Sequence, residues 1–102
     1  MNFYLANHAE SNKMSNLEIA EAAGEYWLYD KVKGPKELLR PIRINGLGAD
    51  IINMIKSGLK KDEIINEVCE QYGIDMKCAQ EDVSFFLDAI DKAGYHDVLP
   101  DV

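Results

Sequence analysis

The side chains able to do chemistry are few in this chain of 102 residues, and they are scattered. There are two histidines, His8 and His96, and two cysteines, Cys69 and Cys78. Neither histidine stands at a metal-ligand spacing from a cysteine or from the other histidine. The sequence holds no Cys-x-x-Cys, no Gly-x-Gly-x-x-Gly and no phosphate loop. Gly46-Leu47-Gly48 opens a helical pattern but encloses no basic residue, so helix-start geometry explains it better than a phosphate cradle. Glu67, Glu70, Glu81 and Asp82 fall on helical patterns, where solvated faces explain them better than paired general acids. The expectation is therefore no catalytic residue, no metal ligand and no cofactor.

Composition narrows the classes further. One domain fits the length, and 47% apolar residues are enough for a core. The formal charge is −7, from 18 acidic and 11 basic residues. A nucleic-acid binder needs a basic face to displace counterions from phosphates, and an anionic membrane would repel this chain. No apolar run is long enough to span a bilayer, and Met1 to Ser15 lacks the basic start and apolar stretch of a secretory signal. Two free thiols fit a reducing cytosol better than a disulfide does, so a cytoplasmic location is expected.

The elements that must position any site read as follows. Residues 1–15 form a loosely held arm, and residues 16–98 form the domain. Leu17 and Ile19 alternate with polar neighbours, Ala22-Ala23-Gly24 makes a turn, and Glu25-Tyr26-Trp27-Leu28-Tyr29-Asp30 is the strongest strand signal in the chain. Together these predict an antiparallel hairpin. Lys31 to Arg40 is a polar loop centred on Gly34-Pro35. Pro41-Ile42-Arg43-Ile44 reads as a third strand, and Pro41, which cannot donate to a ladder, places it at an edge.

Three helices follow. Asn45 caps the first, with Leu47, Ile51, Ile52 and Ile55 at helical spacing and Gly58 past its end. The second runs from about Lys61 to Tyr72, with Ile64, Ile65, Val68 and Tyr72 inward and Gly73 as its stop. Asp75 caps the third, which runs from Met76 to about Ala93 and stops at Gly94.

Binding capacity shows at the third helix and the edge strand. Ala79, Val83, Phe86 and Ile90 form a stripe facing the core, with Leu87 on one flank and Phe85, Ala89 and Cys78 on the other. The apolar arc spans roughly 200°, wider than the stripe of about 100° usual on a surface helix. Either the sheet covers the extra flank or an apolar groove lies between them. Along the edge, residues 41 and 43 point their backbone groups one way and residues 42 and 44 the other. If Arg43 faces outward, an added strand would meet both of its backbone groups but only the carbonyl of Pro41.

The ordered set of signals resembles the PqqD-like family. Gly24 to Asp30 is similar to its second strand, and Ile44-Asn45 followed by Gly48-Ala49-x-x-Ile52 to its passage into the first helix. Gly58, Glu63-Ile64 and Tyr72-Gly73-Ile74-Asp75 resemble the second helix and its exit. Asp82-Val83-x-x-Phe86-Leu87 with Gly94-Tyr95 resembles the third. Lys60 stands where the family usually has threonine, which weakens the cap of the second helix.

The resemblance implies an α+β, winged-helix-like fold, a three-stranded antiparallel sheet followed by three helices. It implies a non-catalytic peptide chaperone, with no cofactor, that binds the leader of a ribosomally made precursor. A modifying enzyme, often a radical S-adenosylmethionine protein, would then act on the core peptide, as in PQQ biosynthesis. Carried over by position, the contacts are Ile42, Arg43 and Ile44 on the strand and Asp82, Val83, Phe86 and their neighbours Phe85 and Ala89 on the helix. Two other readings stay open, a winged-helix nucleic-acid binder and an adaptor that dimerises through the same edge.

Overall fold

The computed structural model describes residues 16–31, 40–95 and 99–100. The expected arm, residues 1–15, and most of the loop before the third strand lie outside them. Strand β1 spans Leu17–Ala22, β2 spans Glu25–Asp30 and β3 spans Ile42–Ile44. Helix α1 spans Gly46–Lys56, α2 spans Lys61–Tyr72 and α3 spans Met76–Lys92. The sheet is antiparallel in the order β1-β2-β3, so β3 is an edge among the described residues. This is the expected α+β arrangement, and the winged-helix likeness is compatible with it.

The hairpin closes on two residues. Ala22 pairs with Glu25, and between them Ala23 and Gly24 have φ of 55° and 80°. Two positive φ values make the I′ turn whose twist matches a right-twisted strand pair. Glycine takes such a φ without strain, whereas Ala23 pays roughly 1 kcal/mol for it.

The pairing fixes which face is buried. Leu17, Leu28 and Ile44 point inward and are at most 8% exposed. Trp27, opposite Arg43, lies on the other face. The α1 helix packs against the inner face, and Ile51, Ile52 and Ile55 of α1, Ile64, Ile65 and Val68 of α2, and Ala79, Val83, Leu87 and Ile90 of α3 join it in one buried core.

Each helix starts and stops where local chemistry directs. Asn45 Oδ1 accepts from the Gly48 amide at 2.7 Å, and Asp75 Oδ1 accepts from the Cys78 amide at 2.8 Å. At Lys60 only half of a capping box forms. The Glu63 carboxylate accepts from the Lys60 amide at 2.7 Å, but an ammonium has no lone pair to return. Gly58, Gly73 and Gly94 follow the three helices, all with positive φ.

Tyr72 departs from its expected inward position and is 43% exposed. Its hydroxyl donates to Asp50 Oδ2 at 2.5 Å, joining α2 to α1. That bond, with a lesser contribution from burial, pushes its pKa up to about 12. After α3, the buried Tyr95 hydroxyl shares its one proton between the carbonyls of Arg40 at 2.9 Å and Leu28 at 3.2 Å. The segment after α3 is thereby tied to β2 and to the approach to β3. Burial raises the pKa of this hydroxyl, and the nearby Asp30 carboxylate adds to the effect.

Replacing Tyr95 with phenylalanine removes the single hydroxyl donor that these two carbonyls share. The expected loss is about 1–2 kcal/mol, seen as a lower urea midpoint at unchanged slope.

Candidate functional site

The site is built by backbone parity. In a two-residue hairpin the residues flanking the turn form a hydrogen-bonded pair, so Ala22 and Glu25 direct their backbone groups at each other. Parity then turns the backbone groups of residues 25, 27 and 29 toward β1. The amide of Lys31, next in that series, donates to the Asn16 carbonyl at 2.8 Å. Residues 26 and 28 turn the other way, to their partners Ile44 and Ile42. Arg43, opposite Trp27, is left with its N–H and C=O directed away from the sheet. By the same alternation Pro41 presents a carbonyl outward and no donor.

Beside this edge lies a groove of about 380 Å³. Its strand side is Ile42, Arg43 and Ile44, and its helix side includes Asp82, Phe85, Phe86 and Ala89 of α3. Those four stand at i, i+3, i+4 and i+7, one stripe of a helix. Phe85 is 78% exposed, far more than a phenylalanine usually tolerates. The volume is near the lower end of the range for ligand sites, about 300–1,000 Å³, which suits a few side chains rather than a large cofactor.

Seven of the eight expected residues line this groove. Val83 does not. It is fully buried, packed in the core one turn before Leu87, and it supports the wall from behind. The expected core stripe also shifts. Leu87 joins the core, while Phe86 is only half-buried and forms part of the groove. An arc as wide as that of α3 does not reveal from periodicity alone where the buried stripe is centred.

Four lining residues were not anticipated as site residues: Asn45, Leu47, Gly48 and Ile90. Gly48 owes its place to a close approach that only the packed structure shows. A Cβ built there would stand 2.5 Å from Phe86 Cε1, so the first turn of α1 approaches the ring more closely than any other residue allows. The Gly-Leu-Gly segment thus starts a helix and also seats an aromatic ring.

Charge around the groove is partly compensated. Arg43 Nη1 lies 3.0 Å from Glu25 Oε2, an exposed pair on the outer face of the sheet. Both cysteines are free thiols, and the Asp75 carboxylate beside Cys78 raises that thiol's pKa, which disfavours a reactive thiolate. Among the described residues no group of three or more His, Cys, Asp or Glu is placed to hold a metal ion, and no helix is long and apolar enough to cross a membrane.

Fold and site together define a small α+β domain with an open sheet edge beside an aromatic helix wall. A family model described as coenzyme PQQ synthesis protein D (PqqD) matches residues 38–95. The chain belongs to this PqqD family. The matched span holds β3 and helices α1 to α3, and the β1–β2 hairpin precedes it. No curated protein and no solved structure matches the chain.

Exchanging Gly48 for alanine drives a methyl into the Phe86 ring. Although alanine is the better helix former by up to about 1 kcal/mol, overpacking costs typically about 1–3 kcal/mol, so a net loss of about 1 kcal/mol is expected. Adding Phe86→Leu should recover most of it in a double-mutant cycle followed by urea denaturation.

Proposed function

We propose that this domain, residues 16–98, is a non-catalytic peptide chaperone. It takes the leader of a ribosomally made precursor peptide as a fourth strand on β3 and presents the rest to a modifying enzyme in the cytoplasm. One observation carries this reading: the outward N–H and C=O of Arg43 stand beside the groove walled by Phe85 and Phe86. An added strand gains affinity from main-chain bonds and selectivity from alternate side chains. Membership of the PqqD family supports the assignment to PQQ or related peptide maturation. A radical S-adenosylmethionine enzyme is the partner this reading favours.

Magnitudes divide the work between edge and groove. The edge offers the donor and acceptor of Arg43 and the acceptor of Pro41. At about 0.5–1.5 kcal/mol net for each bond, these fall well short of the ~8 kcal/mol that a micromolar complex requires. Side chains inserted against α3 supply the remainder. The nucleic-acid alternative is disfavoured by α3 itself, where Glu81, Asp82, Asp88 and Asp91 outnumber Lys77 and Lys92.

The test is a titration of ¹⁵N-labelled protein with synthetic leaders of candidate precursors. Shifts are expected at Ile42–Ile44 and along Asp82–Ala89. Arg43→Pro removes the outward donor and spares the core, and should weaken binding by about tenfold with little change in stability. Unchanged affinity in that variant, or shifts confined to other surfaces, would contradict strand addition.

A further inference from the structure

The groove carries an asymmetry of charge that bears on what it holds. Its lining includes one carboxylate, Asp82, and the edge residue Arg43, whose guanidinium is turned to the outer face of the sheet. The cation is engaged with Glu25 at 3.0 Å. Asp82 is exposed, and among the described residues the pairs Lys31–Glu18, Arg43–Glu25 and Lys92–Asp88 do not engage it. The uncompensated charge of the groove is therefore negative, within a chain of net charge −7 that steers cations toward it. Phe85 and Phe86 stand one turn beyond Asp82 on the same stripe, and an aromatic face beside a carboxylate favours a cation a second time.

Strand geometry sets where such a cation must sit. Side chains directly opposite each other on paired strands share a face of the sheet. The peptide residue paired with Arg43 would turn outward, beside the Arg43–Glu25 pair. Its two neighbours, opposite Ile42 and Ile44, would turn inward toward α3. These inward positions are two residues apart, and between them they meet Asp82 and the apolar surface of Leu47, Phe86 and Ala89.

Resting on the peptide-groove reading, we propose that the groove selects an extended segment with a lysine or arginine directed at Asp82 and an apolar side chain two residues away. Asp82 is then a specificity-determining residue, and the leader this protein serves carries a cationic-apolar motif of period two.

A phage-displayed library of random dodecapeptides, selected against the full chain and against Asp82→Lys, tests this. Wild-type protein should enrich Lys or Arg spaced two residues from Leu, Ile, Val or Phe, and the variant should enrich Asp or Glu at the cationic position. In a selected peptide, Lys→Gln should weaken binding to the wild type by about fivefold and leave binding to Asp82→Asn unchanged. If selected peptides shift the amides of Ile42–Ile44 but tolerate any charge, the groove reading stands and the cationic motif is overturned. If no selected peptide shifts those amides, the groove reading itself falls and the motif falls with it.

Discussion

Ala23 and Gly24, with φ of 55° and 80°, reverse the chain in two residues, and the parity of the whole sheet follows from that turn. A two-residue loop makes Ala22 and Glu25 a hydrogen-bonded pair, so every second residue of β2 turns its backbone toward β1. The others turn toward β3, and the alternation reaches the edge with Arg43 facing out. A one-residue slip of β2 along β1 would hand the outward position to Ile42 and Ile44 and rotate Leu28 out of the core. Ala23 does not line the groove, yet its positive φ helps decide what the groove's edge presents.

The second constraint is the shortness of β3. Pro41 closes it on one side by lacking a donor, and Asn45 closes it on the other by turning into the cap of α1. A short edge is poorly suited to pairing with another copy of the sheet, because few main-chain bonds are on offer. It is well suited to a partner that brings side chains for a neighbouring wall. The wall is rigid for local reasons: Val83 and Leu87 anchor α3 in the core, and Gly48 lets the Phe86 ring seat against α1. Tyr95, bonded to the carbonyls of Arg40 and Leu28, ties the chain beyond α3 to the approach to β3. The two sides of the groove are thus joined through hydrogen bonds as well as through the core.

Much of this was legible before any coordinates. The Gly24–Asp30 pattern, the caps Asn45 and Asp75, and the glycines after each helix are local signals, and local signals survive folding intact. The edge position of β3 was legible through Pro41 alone. Other features depend on long-range packing. Phe86 and Leu87 are adjacent on an arc apolar over more than half its circumference, and only the neighbouring helices decide which is buried. Tyr72 looked inward by spacing, but Asp50 on α1 holds its hydroxyl at the surface. The lining role of Gly48 required knowing which ring would cross it. The family pattern assigns Val83 to the site by position, and its burial sets it behind the wall.

Arg43 alone on β3 offers both backbone groups to an incoming strand, and amide hydrogen exchange reads this directly. In the free protein the Ile42 and Ile44 amides should exchange slowly and the Arg43 amide quickly. With a bound leader peptide, Arg43 should become protected to a level comparable with its two neighbours. Protection of Arg43 in the free protein, or an Arg43 amide that stays fast under saturating peptide, would contradict the account.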